Sequence, residues 1–145
     1  MSPPMSEVVT SIDIAAPPEA VWDVVMDATR LAEWVTIHRK LVSHSADKME
    51  QVLCIHHVNF HVKWDLAVND RPHHAEWKGK GPARSKAETE YTLKAVDGGT
   101  RFEYRNEFKA PLGPLGAAAS RALVGGVPER EADASLQKLK ALLEK

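Results

Sequence analysis

The chain has 145 residues, of which 43% are hydrophobic and 27% are charged. This length favours one domain over 1–145 with a short frayed tail at 1–6, and the composition is typical of a globular protein. The formal net charge is −1, so the chain lacks the basic surplus of proteins that bind nucleic acid. No apolar run approaches the roughly 18 residues that cross a bilayer, and we therefore expect no membrane span.

The cysteine content and the N-terminal segment bear on the cellular compartment. Cys54 is the only cysteine, and a lone thiol cannot form an internal disulfide, so nothing indicates an oxidising compartment. The first residues lack the basic and apolar regions of a secretory signal. We therefore expect a cytoplasmic protein.

The first predicted elements are a strand and two helices. Residues 8–14 are rich in β-branched side chains that partly alternate with polar ones, which predicts a strand. Pro18 suits the first turn of the helix that follows, in which valines recur at helical spacing. Asp27 or Thr29 can cap a second, short helix over 30–34.

From residue 39 to residue 109 the hydrophobic period is two residues. Apolar and polar side chains alternate over about six segments, which predicts antiparallel strands with one apolar face. Asp97-Gly98-Gly99 favours a hairpin turn, and Asp70-Arg71-Pro72 separates another two strands. With the N-terminal strand, the predicted sheet has seven strands.

The C-terminal part returns to helical spacing. Residues 117–124 are rich in alanine, and Gly125-Gly126-Val127-Pro128 interrupts them. From Glu129 to Leu143 leucine and alanine recur on one stripe, which predicts a long amphipathic helix. Because strands and helices are segregated along the chain, the predicted fold class is α+β.

Several segments resemble the SRPBCC or START-like superfamily, which includes polyketide cyclases, lipid-transfer domains and plant pollen allergens. The segments that carry the resemblance are 11–22, 30–34, 70–72 and 98–102. The resemblance covers nearly the whole chain and implies a helix-grip fold, in which a curved seven-stranded sheet wraps a long C-terminal helix around a cavity. It also implies a small hydrophobic or amphipathic ligand, such as a lipid or a polyketide.

Two further segments, 33–40 and 111–116, resemble an actinobacterial branch of this superfamily. Some members of that branch are described as the toxin of a toxin–antitoxin pair, which implies a protein partner. Three functions therefore stay open: a carrier or sensor of a small apolar ligand, a polyketide cyclase- or aromatase-like enzyme, and a toxin. A homodimer is also left open.

The candidate ligand-binding residues are mostly aromatic side chains in phase with the apolar face of the strands. Such a set packs a core or lines a cavity, and ligand cavities are mainly apolar with few polar groups. Asn106 shares this phase although an amide has no packing reason to face a core. The candidates are Trp34, Phe60, Trp64, Trp77, Thr89, Tyr91, Phe102, Tyr104, Asn106, Phe108, Leu123 and Val127.

Two features bear on the mouth of the implied cavity. His38 follows the short helix and is our candidate general acid or base, with Asn106 or Tyr104 polarising a carbonyl. The alternative is a partly exposed histidine of the rim. The Gly-rich segment 113–128, which contains Leu123 and Val127, lies over the entrance in the family fold, either as a gate or as a plain connection.

The seven histidines do not predict a metal site. His57 and His61 share one strand face but stand about 13 Å apart at about 3.3 Å per residue. One ion with ligands near about 2 Å cannot join them. Because no phosphate-binding or dinucleotide-binding motif is present either, we expect no metal and no cofactor.

Overall fold

One antiparallel sheet organises the residues that the computed structural model describes, namely 5–55, 57–109 and 127–145. Its strands are β1 (Met5–Ile14), β2 (His38–His44), β3 (Lys48–Ile55), β4 (Val58–Asp70), β5 (His74–Lys80), β6 (Lys86–Val96) and β7 (Gly99–Lys109). They follow the order β1-β7-β6-β5-β4-β3-β2 across the sheet. The seven strands and their antiparallel pairing confirm the predicted fold class.

The α-helices precede and follow the run of strands β2 to β7, and one of the two described 3₁₀ turns lies between β5 and β6. The helical elements are α1 (Pro18–Val25), α2 (Leu31–Trp34), α3 (Val127–Leu143) and 3₁₀ turns at Ala28–Arg30 and Pro82–Arg84. Asp27 caps the first 3₁₀ turn by accepting a hydrogen bond from the Thr29 N–H at 3.0 Å. Helix α3 begins before Glu129 because Pro128 fits a first helical turn, where no backbone N–H is needed. Within the described ranges, no helix is long and apolar enough to cross a membrane.

Strand β1 begins earlier than the sequence predicts. We expected the strand from Val8 onward and a frayed tail at 1–6, but Met5 and Ser6 pair with Lys109 and Phe108 of β7. The prediction was wrong for these two residues because the length of the partner strand, and not local propensity, sets where β1 starts.

Helix α3 lies on the inner face of the sheet, where it contacts β1 and α2. Leu136 and Leu139 on its apolar stripe are buried, as the helical spacing predicts. Lys140 donates a hydrogen bond to the Asp13 carbonyl at 2.8 Å. The helix thus packs on β1 and also bonds a backbone group of this edge strand, which protects the edge from other chains.

Two clusters of buried side chains divide the interior. We call the first the helix-covered cluster; it contains Ile14, Ala16, Val21, Trp22, Val24, Val25, Leu31, Trp34, Ala75, Tyr91, Leu93, Phe102, Leu136 and Leu139. The second, the sheet cluster, contains only strand residues: Ile55, Phe60, Val62, Trp64, Ala87 and Phe108. Met49 and Trp77 pack against both clusters and mark the boundary between them.

Candidate functional site: an internal cavity

An internal cavity with a free volume of about 100 Å³ lies at the boundary of the two clusters. The strands supply Val8, Met49, Gln51, Leu53, Ile55, Phe60, Val62, Trp64, Trp77, Ala87, Thr89, Tyr91, Tyr104, Asn106 and Phe108. The helices and their flanking residues supply Val25, Met26, Ala28, Leu31, Trp34, Val35, Ile37, Pro128, Glu131, Ala132, Ser135 and Leu136. Most of these side chains are apolar, so the wall favours an apolar guest.

Small residues in the middle of the sheet determine how the large rings of the wall pack. Phe108, Ala87, Gly79 and Trp64 are successive cross-strand neighbours in one row. Ala87 and Gly79 stand at the centre of the row, between the two large rings. A Cβ atom on Gly79 would lie 2.8 Å from the Trp64 ring. Glycine is therefore needed here for the indole to lie against β5.

The structure brings nine of the twelve candidate ligand-binding residues around the cavity. They are Trp34, Phe60, Trp64, Trp77, Thr89, Tyr91, Tyr104, Asn106 and Phe108. Leu123 and most of the predicted gate over 113–128 lie outside the described residues, as does the side chain of Val127. The alternation along the strands therefore predicted which side chains point inward.

Phe102 differs from the other described candidates, because it is not among the residues that line the cavity. It is fully buried in the helix-covered cluster. Its ring centroid lies 6.2 Å from that of Trp34 and 5.3 Å from that of Tyr91. The reason is that α1 packs on β6 and β7 and covers this position.

His38 lies beside the cavity and not in its lining. Its Nδ1 atom is 2.8 Å from Nε2 of Gln51, and Gln51 does line the cavity. Because an amide nitrogen can only donate, Nδ1 accepts this bond and the proton of the neutral ring is on Nε2. Burial lowers the pKa of His38 and favours that neutral ring. The predicted catalytic residue thus reaches the cavity only through Gln51.

The polar part of the wall is formed by a few side chains with defined roles. Thr89 Oγ1 donates a hydrogen bond to Asn106 Oδ1 at 3.1 Å, across the pairing of β6 with β7. This bond engages the amide oxygen of Asn106 and leaves its NH₂ group to donate elsewhere. Burial raises the pKa of the Tyr91 and Tyr104 hydroxyls, so both keep their protons.

Three polar lining residues were missed by sequence reasoning: Gln51, Glu131 and Ser135. Gln51 is in phase with the apolar lining residues Met49 and Leu53 of β3, so the signal that identified Asn106 was present for it as well. Glu131 and Ser135 are held beside the cavity by Thr36. The Thr36 N–H donates to Ser135 Oγ at 3.0 Å, and its hydroxyl donates to the Glu131 carboxylate. No local pattern predicts contacts between residues so far apart in the chain.

A group of side chains with metal-ligating atoms lies on the opposite face of the sheet. Ligand atoms of His74, Glu76 and Glu90 all lie within 4.8 Å of one another. His74 bonds Thr92 at 3.0 Å and Glu76 at 2.8 Å, and Glu90 lies 3.8 Å from Arg105. These hydrogen bonds and ion pairs explain why the side chains lie close together without a metal ion. Because the members of this group alternate with the lining residues, they point away from the cavity.

Comparison with known proteins places this fold and cavity in a family. The family model for polyketide cyclase / dehydrase and lipid transport matches residues 5–144. An uncharacterized protein of Mycobacterium tuberculosis is 31% identical over 131 residues, which cover 85% of this chain and 92% of that protein. Another protein of the same species, which is named as a toxin, is 26% identical over 133 residues, covering 86% and 92%.

A solved structure supports the same assignment at the level of the fold. The Zhui aromatase/cyclase from Streptomyces sp. R1128 superimposes with a TM-score of 0.72 at 18% identity, covering 97% of this chain and 94% of that one. This likeness confirms the START-like arrangement that the resemblance implied. With a family model that matches nearly the whole chain, the chain belongs to the polyketide cyclase / dehydrase and lipid transport family.

Proposed function

We propose that the chain binds a small hydrophobic or amphipathic molecule in the internal cavity and acts as its carrier or sensor. The observation that supports this function is an unfilled volume of about 100 Å³ behind a largely apolar wall. Protein interiors are close-packed, because an empty volume loses contacts and destabilises the fold. A guest that fills the space regains those contacts, at about 25 cal/mol for each Å² of apolar surface removed from water.

Ligand binding is tested first on the purified chain as it is produced. Native mass spectrometry is expected to show a bound mass that dissociates on collisional activation. The stripped protein is then titrated with toluene, an apolar probe of single-ring size. Trp34, Trp64 and Trp77 all line the cavity, so tryptophan fluorescence reports binding directly.

A pair of matched variants locates the bound probe. Ala87 lines the cavity, and Ala87→Leu places three more carbon atoms in the space, which is expected to weaken toluene binding at least about tenfold. Ala95 is exposed in the same strand, and Ala95→Leu is expected to leave binding unchanged. Equal affinities of the two variants would contradict binding in the cavity.

The other functions named from the sequence stay predictions. A cyclase- or aromatase-like enzyme needs a general acid or base that touches the substrate, and the indirect contact of His38 through Gln51 favours binding over catalysis. A toxin is tested by growth arrest on expression and by relief from a neighbouring gene product. A cytoplasmic location and a homodimer are likewise predictions, which fractionation and sedimentation measure.

A further inference from the structure

The volume of the cavity restricts the size of its guest. The free volume is about 100 Å³, whereas an engineered cavity of about 150 Å³ holds one benzene molecule and pockets for drug-sized ligands measure about 300–1,000 Å³. Met26 and Met49 line the cavity, and flexible methionine side chains adjust to the shape of a guest. The space therefore fits a molecule of about one ring, and not a long acyl chain.

The charge of the wall restricts the guest further. No Lys, Arg or His is among the lining residues of the described ranges, and Glu131 is the one charged side chain there. A carboxylate or phosphate in the cavity would be buried without a cation and near the negative charge of Glu131. Burial of an unpaired ion costs far more than burial of a neutral group of similar size. The wall therefore disfavours anions.

The residues that line the cavity include side chains with hydrogen-bond donors. The NH₂ group of Asn106 is left over because Thr89 engages its oxygen. The indole N–H groups of Trp34 and Trp64 are buried and have no partner among the described residues. Buried donors are nearly always satisfied in proteins. A guest with an acceptor oxygen can accept a hydrogen bond from the Asn106 NH₂ group.

From the volume, the charge and the donors together, we infer that the cavity selects an uncharged molecule of about one ring that carries a carbonyl oxygen, and that it excludes carboxylates of the same size. This inference rests on the proposed function, because it specifies the guest of the same cavity. Asn106 determines the specificity by donating a hydrogen bond to the carbonyl oxygen, while aromatic side chains contact the ring.

Three probes that differ only in their polar group test the selection: ethylbenzene, acetophenone and benzoate. Their dissociation constants are measured near pH 7 with the full chain by isothermal titration calorimetry. We expect benzoate to bind at least about tenfold more weakly than ethylbenzene, because it buries an unpaired charge. Acetophenone is expected to bind more tightly than benzoate by a larger factor still.

A variant of Asn106 isolates the contribution of the carbonyl. Asn106→Leu removes the donor at similar side-chain volume, and is expected to weaken acetophenone binding about 3- to 10-fold while ethylbenzene binds as tightly as before. The matched control is Glu107→Gln, on the next residue and the opposite face of β7, which is expected to leave all three affinities unchanged.

The possible outcomes separate the selection from ligand binding itself. If benzoate binds as tightly as ethylbenzene, or if Asn106→Leu weakens ethylbenzene and acetophenone equally, the selection is wrong and ligand binding stands. If none of the three probes binds, both the selection and the proposed function are overturned. If Asn106→Leu does not fold, the comparison of benzoate with ethylbenzene in the native chain still decides.

Discussion

In the helix-covered cluster, Trp34 meets Phe102 edge-on with ring centroids 6.2 Å apart, and leucines of α3 pack against the same group. In the sheet cluster, Phe60 and Phe108 meet in a similar way at 5.2 Å, but no described helix residue belongs to it. The two regions use the same kinds of aromatic side chain. Among the described residues, the two clusters therefore differ in whether helix side chains pack on the sheet, and not in their aromatic content.

The largest expected effect comes from truncating a buried side chain of the helix-covered cluster. Leu139 is fully buried and does not line the cavity. Leu139→Ala leaves a new void under α3 and is expected to lower the free energy of unfolding by about 2–5 kcal/mol. Urea denaturation followed by circular dichroism measures the loss, with Leu142→Ala, at a partly buried residue, as the control with a smaller loss. A loss below about 1 kcal/mol for Leu139→Ala would show that this cluster is not tightly packed.

The same substitution, alanine to leucine, made once in each cluster sharpens the comparison of their packing. Ala75 is fully buried in the helix-covered cluster, whereas Ala87 lines the cavity. Ala75→Leu overpacks the helix-covered cluster and is expected to lower the free energy of unfolding by about 1–3 kcal/mol. Ala87→Leu fills existing space, so its free energy of unfolding is expected to change by less than about 1 kcal/mol. Equal costs in urea denaturation would mean that the two clusters do not differ in packing.

The smallest expected effect is a pH dependence of the free energy of unfolding that arises from His38 in β2. Burial lowers the pKa of His38 in the folded chain below its ordinary value of 6.5. As the pH falls, the unfolded chain therefore takes up a proton first, and the free energy of unfolding decreases from about pH 7 downward. We expect lower urea midpoints at about pH 5.5 than at about pH 7.5, and a weaker decrease in His38→Gln. Identical decreases in the two proteins would assign the effect to other groups.

Local signals were sufficient for most of the fold. Alternation within each strand predicted its inward face, and a short turn motif predicted the β6–β7 hairpin. There Val96 pairs with Gly99, and Gly98 has a φ of 80° that favours glycine. Such signals are complete within a few residues, and they can be interpreted without knowledge of the rest of the molecule.

The remaining features depend on segments that are far apart in the chain. Phe102 and Phe108 have the same phase in β7, but only Phe108 faces the cavity, because α1 covers the other ring. Glu131 enters the wall through its bond with Thr36, at a separation of 95 positions. Neither the burial of Phe102 nor the position of Glu131 follows from the alternation along one strand, because both depend on how the helices pack on the sheet.

The pairing of β1 with β7 has a consequence for the order of events during synthesis. Met5 pairs with Lys109 and Ile14 with Thr100, so β1 lacks this partner until β7 has been synthesised. Contacts between such distant residues close a long loop and slow folding. Until β7 emerges, the β-branched side chains of β1 have no neighbour and are open to association with other nascent chains. The described sheet is therefore complete only when its first and last strands in chain order have met.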